Sequence, residues 1–340
     1  MAWYNEKGEM QDVIISTRVR FARNLEEYPF GQRLSDKSAD EVIEKVCAAL
    51  PEYSCERFFD ANEAKLRSYM EMHYVSPEFA SSNKHRALLS GEGGHVKIMV
   101  CEEDHLRIQS IVSGFDPKRA FELAAGADET LGKSLKLAFS EKYGYLTQCP
   151  TNLGAAMRVS AMLCLPGLTM GAMIDKYSAA LGKMGITVRG AYGEGSRSSG
   201  CIYQISNRGS LGIGENEIIK LMSEAVEKLA QAERKARQTL YEMNKGKLVD
   251  RIARSVGVLK NSYMLTSAEV SEIFGEMKLG VSTGVILGIT DEKLGELLIA
   301  VQPATVSMLK QGLEEESERD IARASLVRDM CRDIQLKYPS

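Results

Sequence analysis

No stretch of this chain has the length and hydropathy of a membrane span, and its opening residues, MAWYNEKGEMQD, contain no apolar run of signal-peptide length. Membrane insertion and secretion are therefore not expected, and a cytoplasmic location is. Cysteine is scattered: Cys47, Cys55, Cys101, Cys149, Cys164, Cys201 and Cys331 include no C-x-x-C pair, and the four histidines do not join them at zinc-finger spacing. Seven thiols, an odd number, without a secretory signal imply free cysteines in a reducing compartment rather than a disulfide framework. Net charge is small, with 43 Lys and Arg against 46 Asp and Glu. The chain as a whole is not drawn to nucleic acid or to an anionic membrane, and no basic face with interleaved aromatics marks a nucleic-acid binder. Neither G-x-G-x-x-G nor G-x-x-x-x-G-K-S/T occurs, so dinucleotide-binding and P-loop readings have no foothold. Any anion site must be a local cluster of basic side chains.

What is present is a soluble composition, 44% hydrophobic and 26% charged, in a chain of 340 residues that can bury a substantial core. Residues 12–21 (DVIISTRVRF), 95–100 (HVKIMV), 105–112 (HLRIQSIV) and 201–206 (CIYQIS) read as strands. Between them, residues 38–50 carry Val42, Ile43, Val46 and Leu50 on one helical stripe, and residues 62–72 carry Ala64, Leu66 and Met70 at looser spacing. Antiparallel neighbours with helices packed on them predict an α+β fold. Over residues 216–243, Ile219, Met222, Val226, Leu229, Ala232, Ala236 and Leu240 step by three or four, which predicts a long amphipathic helix. Further helices are expected over 247–258, 266–277, 291–298 and from Pro303 to about Leu336. Thr266 and Glu269 fit a capping box at the start of one of them. The reading is an α+β domain over residues 1–235 and an all-helical domain over 236–340.

Five short segments carry unusual polar groups. In Ser16-Thr17-Arg18-Val19-Arg20, period-two alternation sends Arg18 and Arg20 to one face of a strand, where they repel unless an anion joins them. An exposed, solvated strand face is the alternative. Cys101-Glu102-Glu103-Asp104-His105-Leu106-Arg107 puts three acids at a strand end, a solvated turn or a cation site. Cys149-Pro150-Thr151-Asn152-Leu153-Gly154 reads as the lead into a helix containing Arg158. Thr151 or Asn152 would cap that helix, and its amides would favour a thiolate at Cys149; a buried structural thiol is the alternative. Arg189-Gly190-Ala191-Tyr192-Gly193-Glu194-Gly195 is a glycine-rich loop able to approach a ligand closely, or a plain surface loop. His73, before Ser76-Pro77, is weak alone. Together, Arg18, Arg20, Arg107, Arg158 and Arg189 supply the fixed positive charge that a polyphosphate site lacking a P-loop lysine needs. Glu103 and Glu194, on separate loops, would face a cationic or protic acceptor.

STRVR, EEDHLR, CPTNLG with Arg158, and RGAYGE resemble, in the same order, the active-site motifs of the phosphagen kinases, over roughly residues 12–236. Fifteen residues precede Ser16, where such enzymes carry a helical domain that helps select a small guanidino substrate. At the other end, Arg319-Asp320-Ile321-Ala322-Arg323-Ala324 is similar to the RDxxRA motif of the McsB-type protein-arginine kinases, which binds phosphoarginine. Read from the residues alone, the same run is an exposed ion-pair network on a helix.

The resemblance implies an ATP- and Mg²⁺-dependent kinase acting on arginine side chains of proteins. It implies that Glu103 and Glu194 orient the acceptor guanidinium, with Glu103 as the base, beside a thiolate at Cys149. ATP would lie against Ser16–Arg20, His73, Arg107, the run Arg158-Val159-Ser160-Ala161-Met162, and Arg189 to Glu194. No side-chain metal ligand is implied. Cys101 stands where many relatives have asparagine. Implied partners are an McsA-type activator, the ClpC unfoldase and the CtsR repressor, with a homodimer formed through the helical domain. A kinase of free arginine and a non-catalytic phosphoarginine adaptor are the competing expectations.

Overall fold

The structure is a computed structural model and describes residues 2–60, 64–190, 199–310, 312–313 and 315–339. Among the described residues twelve strands follow in chain order: β1 (Ile14–Arg23), β2 (Ser54–Phe58), β3 (Arg86–Ser90), β4 (Val96–Val100), β5 (Leu106–Ser113), β6 (Phe139–Ser140), β7 (Gly144–Tyr145), β8 (Met157–Cys164), β9 (Ile186–Gly190), β10 (Ile202–Asn207), β11 (Ile286–Leu287) and β12 (Gln335–Leu336). Eight of them make one antiparallel sheet in the order β2-β3-β4-β5-β1-β8-β10-β9, so the fold is α+β as the sequence implies.

Alternation decides what each face of this sheet does. Val19, Phe21, Ile108, Val159, Ala161 and Ile205 are almost fully buried on one face. They pack against helices Asp36–Ala49, Pro117–Ser134 and the first half of a 47-residue helix, Glu215–Asn261. Ser35 and Asp116 cap the first two, accepting from the amides of Ser38 (3.2 Å) and Arg119 (2.9 Å). The opposite face is polar at its centre and apolar at one end, where Ile15, Ile111 and Met162 join the core of the C-terminal helices.

Those helices are Ser267–Ser282, Asp291–Ala300, Pro303–Leu309 and Glu316–Met330, packed through Phe274, Met277, Leu294, Leu297, Leu298 and Val327. The capping box of Thr266 and Glu269 is present. The segments read as helices over 216–243 and 247–258 are one element, broken only at Asn244 (φ −133°, ψ 32°). The last expected helix is two, ending at Met330 rather than near Leu336. The N-terminus is latched onto the C-terminal helices. Trp3 is buried with its Nε1 donating to the Met72 carbonyl, and Lys278 Nζ donates to the Gln11 carbonyl and pairs with Asp291. Arg237, itself paired with Glu233, donates to the Asp12 carbonyl at 2.9 Å. Among the described residues, no helix is long and apolar enough to cross a membrane.

Candidate active site

Strand register brings the arginines together. Arg20 lies directly opposite Arg158 on β8 and opposite Gln109 on β5; Ala22, two residues on, faces Arg107, and Gln204 on β10 faces Arg189 on β9. Like charges opposite one another across strands are destabilising. Little in the protein offsets them: Arg20 Nε and Arg158 Nε are buried with no hydrogen-bond partner, although Arg158 also donates to Ser206 Oγ at 2.8 Å. Burial, then repulsion from Arg107 and Arg158, pulls Arg18 down to about 9. Burial and the same neighbours, with Arg18 added, push Arg20 well below its ordinary range. A cluster in this condition is completed by an anion.

Three cavities meet at this cluster. One, of about 510 Å³, is walled by Ser16, Arg18, His73, Ser160, Met162 and Gln204, with Glu71 and Gln302 at its edge. The second is walled by Arg18, Arg20, Arg107, Arg158, Arg189, Glu102 and Glu103. The third, of about 240 Å³, shares Arg20, Arg107, Arg158 and both glutamates and adds Cys149, Thr151, Asn152 and residues 207–210. Thr17, Val19, Val159 and Ala161, which the motifs include, face away. Thr17 Oγ1 donates to the Gly114 carbonyl at 2.7 Å, and the other three are in the core, as alternation requires.

The acidic turn divides its labour. Glu102 is buried and pairs with Arg107 at 2.6 Å. Burial alone would raise its pKa, but Arg107, the Ser76 hydroxyl and the Glu103 amide hold it below the usual carboxylate range. Glu103 moves the other way: burial, then the nearby Asp104 and Glu102, raise its pKa despite Arg107. Asp104 fixes the turn, accepting from Asn24 Nδ2 (2.6 Å) and from the Gln148 amide (2.7 Å). His105 Nδ1 accepts from the Leu25 amide at 3.0 Å, which leaves Nε2 to donate to the Pro29 carbonyl. Cys101, buried, adopts φ 63°, a left-handed conformation that asparagine tolerates better than cysteine. Asn24, Ser76, Asp104, His105 and Asn207 escaped the sequence reading as site residues. Asp104 and His105 stand inside a motif it quoted, whereas Asn24 and Asn207 carry no local pattern. Asn207 shapes the third cavity by accepting from the Val159 amide and donating to the carbonyls of Met157 and Gly209.

The cysteine segment corrects an expectation. Arg158 is on β8, not on a helix, and Cys149 precedes only the three-residue 3₁₀ turn Pro150–Asn152. No helix dipole therefore acts on Cys149. Its Sγ lies 3.0 Å from Thr151 Oγ1 instead. His73 has φ 62° and its carbonyl is held by Gln109 Nε2 at 3.0 Å; burial, then Arg18, lowers its pKa to about 4, so the ring is neutral near pH 7. Arg189 and Gly190 end β9, with Arg189 exposed; Ala191, Tyr192, Gly193 and Glu194 lie outside the described residues. Among the described residues no three His, Cys, Asp or Glu side chains converge as a metal site.

The Arg319–Ala324 run lies apart from the three cavities, on the helix Glu316–Met330. It is not an exposed ion-pair network. Arg323 is 2% exposed, pairs with Asp320, and donates to the carbonyls of Val301 (2.6 Å) and Leu265 (2.7 Å). Ala322 and Ala324 are buried with it, whereas Arg319 and Ile321 are half-buried.

Residues 36–236 match the family model of the ATP:guanido phosphotransferase C-terminal catalytic domain, and residues 245–338 match that of the protein-arginine kinase McsB C-terminal domain. A protein-arginine kinase of Bacillus subtilis is 36% identical over 336 residues, 96% of this chain and 92% of its own. One from Clostridium acetobutylicum is 36% identical over 337 residues, 97% of this chain and 99% of its own. Among solved structures, the duplicated taurocyamine kinase of Schistosoma mansoni with bound transition-state-analogue components superposes with a TM-score of 0.60 at 26% identity over 73% of this chain, which spans 38% of that one. Lombricine kinase, at 22% identity, TM-score 0.57 and 66% of each chain, shares the fold. The arginine-walled cleft and the near-full-length identity agree, and the chain belongs to the protein-arginine kinases of the ATP:guanido phosphotransferase family.

Proposed function

We propose that the chain transfers the γ-phosphate of ATP to arginine side chains of proteins, with the nucleoside in the His73 cavity, the phosphates on the five arginines and the guanidinium in the Cys149 cavity. The observation that carries this reading is the shared wall. Arg20, Arg107, Arg158, Glu102 and Glu103 border both the phosphate cavity and the third one, so a phosphoryl group and its acceptor would meet there.

An arginine is a poor nucleophile because its charge is delocalised and its pKa is about 13.8. In this reading Glu103 aligns the planar group by paired hydrogen bonds and takes a proton as a guanidinium nitrogen bonds to phosphorus. The bond from phosphorus to the bridging oxygen breaks, and ADP leaves with that electron pair. The raised pKa of Glu103 suits a base better than the buried, arginine-paired Glu102 does. Glu194 is the second orienting carboxylate and Cys149 the side chain beside the guanidinium. The arginines stabilise charge spread over the transferring group. Mg²⁺ fits as an ion carried by the phosphates, since the wall is cationic and Glu102 is already engaged; bound there it would neutralise developing charge on the phosphate oxygens.

The wider reading keeps residues 1–235 as the catalytic domain and 236–340 as a regulatory domain that dimerises and binds phosphoarginine through the Arg319–Ala324 segment. A cytoplasmic enzyme of this kind would mark proteins for a ClpC-type protease in the stress response, with an McsA-type activator and the CtsR repressor as partners. The deciding assay is mass spectrometry of an unfolded basic protein, beside free arginine, incubated with ATP and Mg²⁺ under conditions that preserve P–N bonds. Phosphate on protein arginines is expected. Phosphate on free arginine alone would make this a small-guanidine kinase, and phosphate on neither, even with an activator, would favour an adaptor.

A further inference from the structure

The His73 cavity has two ends, and strand register tells them apart. On β1, Ser16 lies opposite Met162 of β8 and Arg18 opposite Ile111 of β5, whereas Arg20 lies opposite Arg158. Met162 and Ile111 line the cavity and also pack in the core of the C-terminal helices. The end at Ser16 is therefore built against those helices, and the end at Arg20 against the arginine cluster. Four strand residues separate the two ends, about 13 Å. That span suits an extended nucleoside triphosphate laid with its phosphates at Arg20 and its base at Ser16.

The C-terminal helices bring one polar side chain to this cavity. Gln302, immediately before the helix Pro303–Leu309, lines it. Its backbone is fixed from both sides. Arg323 donates to the preceding Val301 carbonyl at 2.6 Å. Glu71, at the end of the helix Ala64–Glu71 and two residues before His73, accepts from the amides of Ala304 (2.8 Å) and Thr305 (2.7 Å) and from the Thr305 hydroxyl (2.8 Å). A carboxylate bordering a triphosphate cavity would repel the ligand, but Glu71 is held against a helix start, where negative charge is favourable.

Gln302 Nε2 donates to the Leu298 carbonyl at 3.0 Å, which uses one of its two hydrogens. The second hydrogen and Oε1 have no partner among the described residues. A carboxamide with one donor and one acceptor to spare matches the edge of adenine, where an exocyclic amine stands beside a ring-nitrogen acceptor. The other glutamines of this wall are placed differently. Gln109 Nε2 is committed to the carbonyls of His73 and Tyr74, and Gln204 also borders the phosphate cavity.

We infer that Gln302 reads the base of the nucleotide, with Oε1 accepting from the adenine amine and Nε2 donating to the ring nitrogen. The C-terminal helices thereby complete the nucleotide site. The inference rests on the proposed placement of ATP and adds to it a specificity residue outside residues 1–235. Gln302 touches the base and not the reacting atoms.

The test titrates the full-length enzyme, with Mg²⁺, against ATP and against inosine triphosphate, in which a carbonyl replaces the amine. The wild type is expected to bind ATP about tenfold more tightly. In Gln302→Met, which keeps the length and loses both polar groups, the Kd for ATP should rise to that for inosine triphosphate, whose own Kd stays unchanged. Gln302→Ala should do the same. Both variants should melt like the wild type without nucleotide and keep its kcat at saturating ATP. Equal affinities in the wild type would overturn the assignment, as would variants that keep the preference for ATP. If the wild type binds neither nucleotide, the placement of ATP fails and the role of Gln302 with it; ATP binding with a preference that neither substitution moves sinks Gln302 alone.

Discussion

Two sets of buried or half-buried arginines live under opposite conditions in this molecule. Arg323 and Arg237, inside the fold, each have a carboxylate partner and carbonyls to donate to. Arg20 and Arg158 face each other across a strand pair, and each keeps a buried Nε with no partner. The first set is finished by the protein and acts as mortar. The second waits for something the protein does not contain. What marks the cleft arginines here is the unmet demand of their surroundings, not their place in a motif, because Arg323 stands in a quoted motif as squarely as Arg20 does and has its partners.

The comparison can be broken at several points. Glu103→Gln should show the largest effect, cutting turnover by roughly 10²–10⁴ while leaving nucleotide affinity and melting temperature nearly unchanged. Single-turnover kinetics beside nucleotide titration would check it, and normal turnover would remove Glu103 from the chemistry. Arg323→Met should do the reverse, costing about 3–5 kcal/mol of stability by stranding Asp320 and the carbonyls of Val301 and Leu265. Thermal and urea unfolding would measure that loss; a variant of unchanged stability would mean that Arg323 is not structural.

Arg20→Met sharpens the contrast most directly. It should weaken ATP by about 10- to 100-fold, through loss of a charge-assisted contact, and yet raise the stability of the nucleotide-free protein by about 1 kcal/mol by relieving repulsion from Arg158. A fall in stability without nucleotide would show that the cluster is satisfied after all. The smallest effect is in pH. Since Glu103 must be ionised to act and its pKa is raised, kcat/KM should climb about tenfold per unit on an acid limb lying above the ordinary glutamate range. Glu78→Gln, which removes a carboxylate that raises this pKa, should move the limb down. His73, held neutral above about pH 4, should add no limb near pH 6.5.

The strands were legible because alternation is a strong signal: DVIISTRVRF placed Arg18 and Arg20 on one face without help, and the cleft bears them there. Arg158 was misassigned for a physical reason. Gly154 and Ala156 take φ of 100° and 48°, two left-handed residues that end any incipient helix, and only then does MRVSAMLC alternate as a strand. Ala155 and Ala156, inside the break, look like helix formers in a window. The long helix read as two because residues 243–246, with Asn244 and Gly246, resemble a stop. The backbone bends at Asn244 and continues. What no window could supply is register. That Arg20 meets Arg158 across some 138 positions, or that Asn24 reaches Asp104, is decided by pairing between distant strands.

The latch at the N-terminus has a consequence in time. Ile15 and the Gln11 and Asp12 carbonyls, which lead directly into the arginine strand, are held by Met162, Arg237 and Lys278 and by the helices around them. A ribosome makes Arg237 and Lys278 more than two hundred residues after Asp12, at about 5–20 residues per second, so β1 is born well before these groups that clamp its root. Between Asn207, where the sheet ends, and Lys278 the chain owns the sheet face but not the whole of its anchor. A nascent kinase is therefore unfinished at the root of its first strand until the helix Ser267–Ser282 has emerged, and a messenger truncated before Lys278 would yield a catalytic sheet whose leading edge keeps the Arg237 clamp but lacks the one at the Gln11 carbonyl.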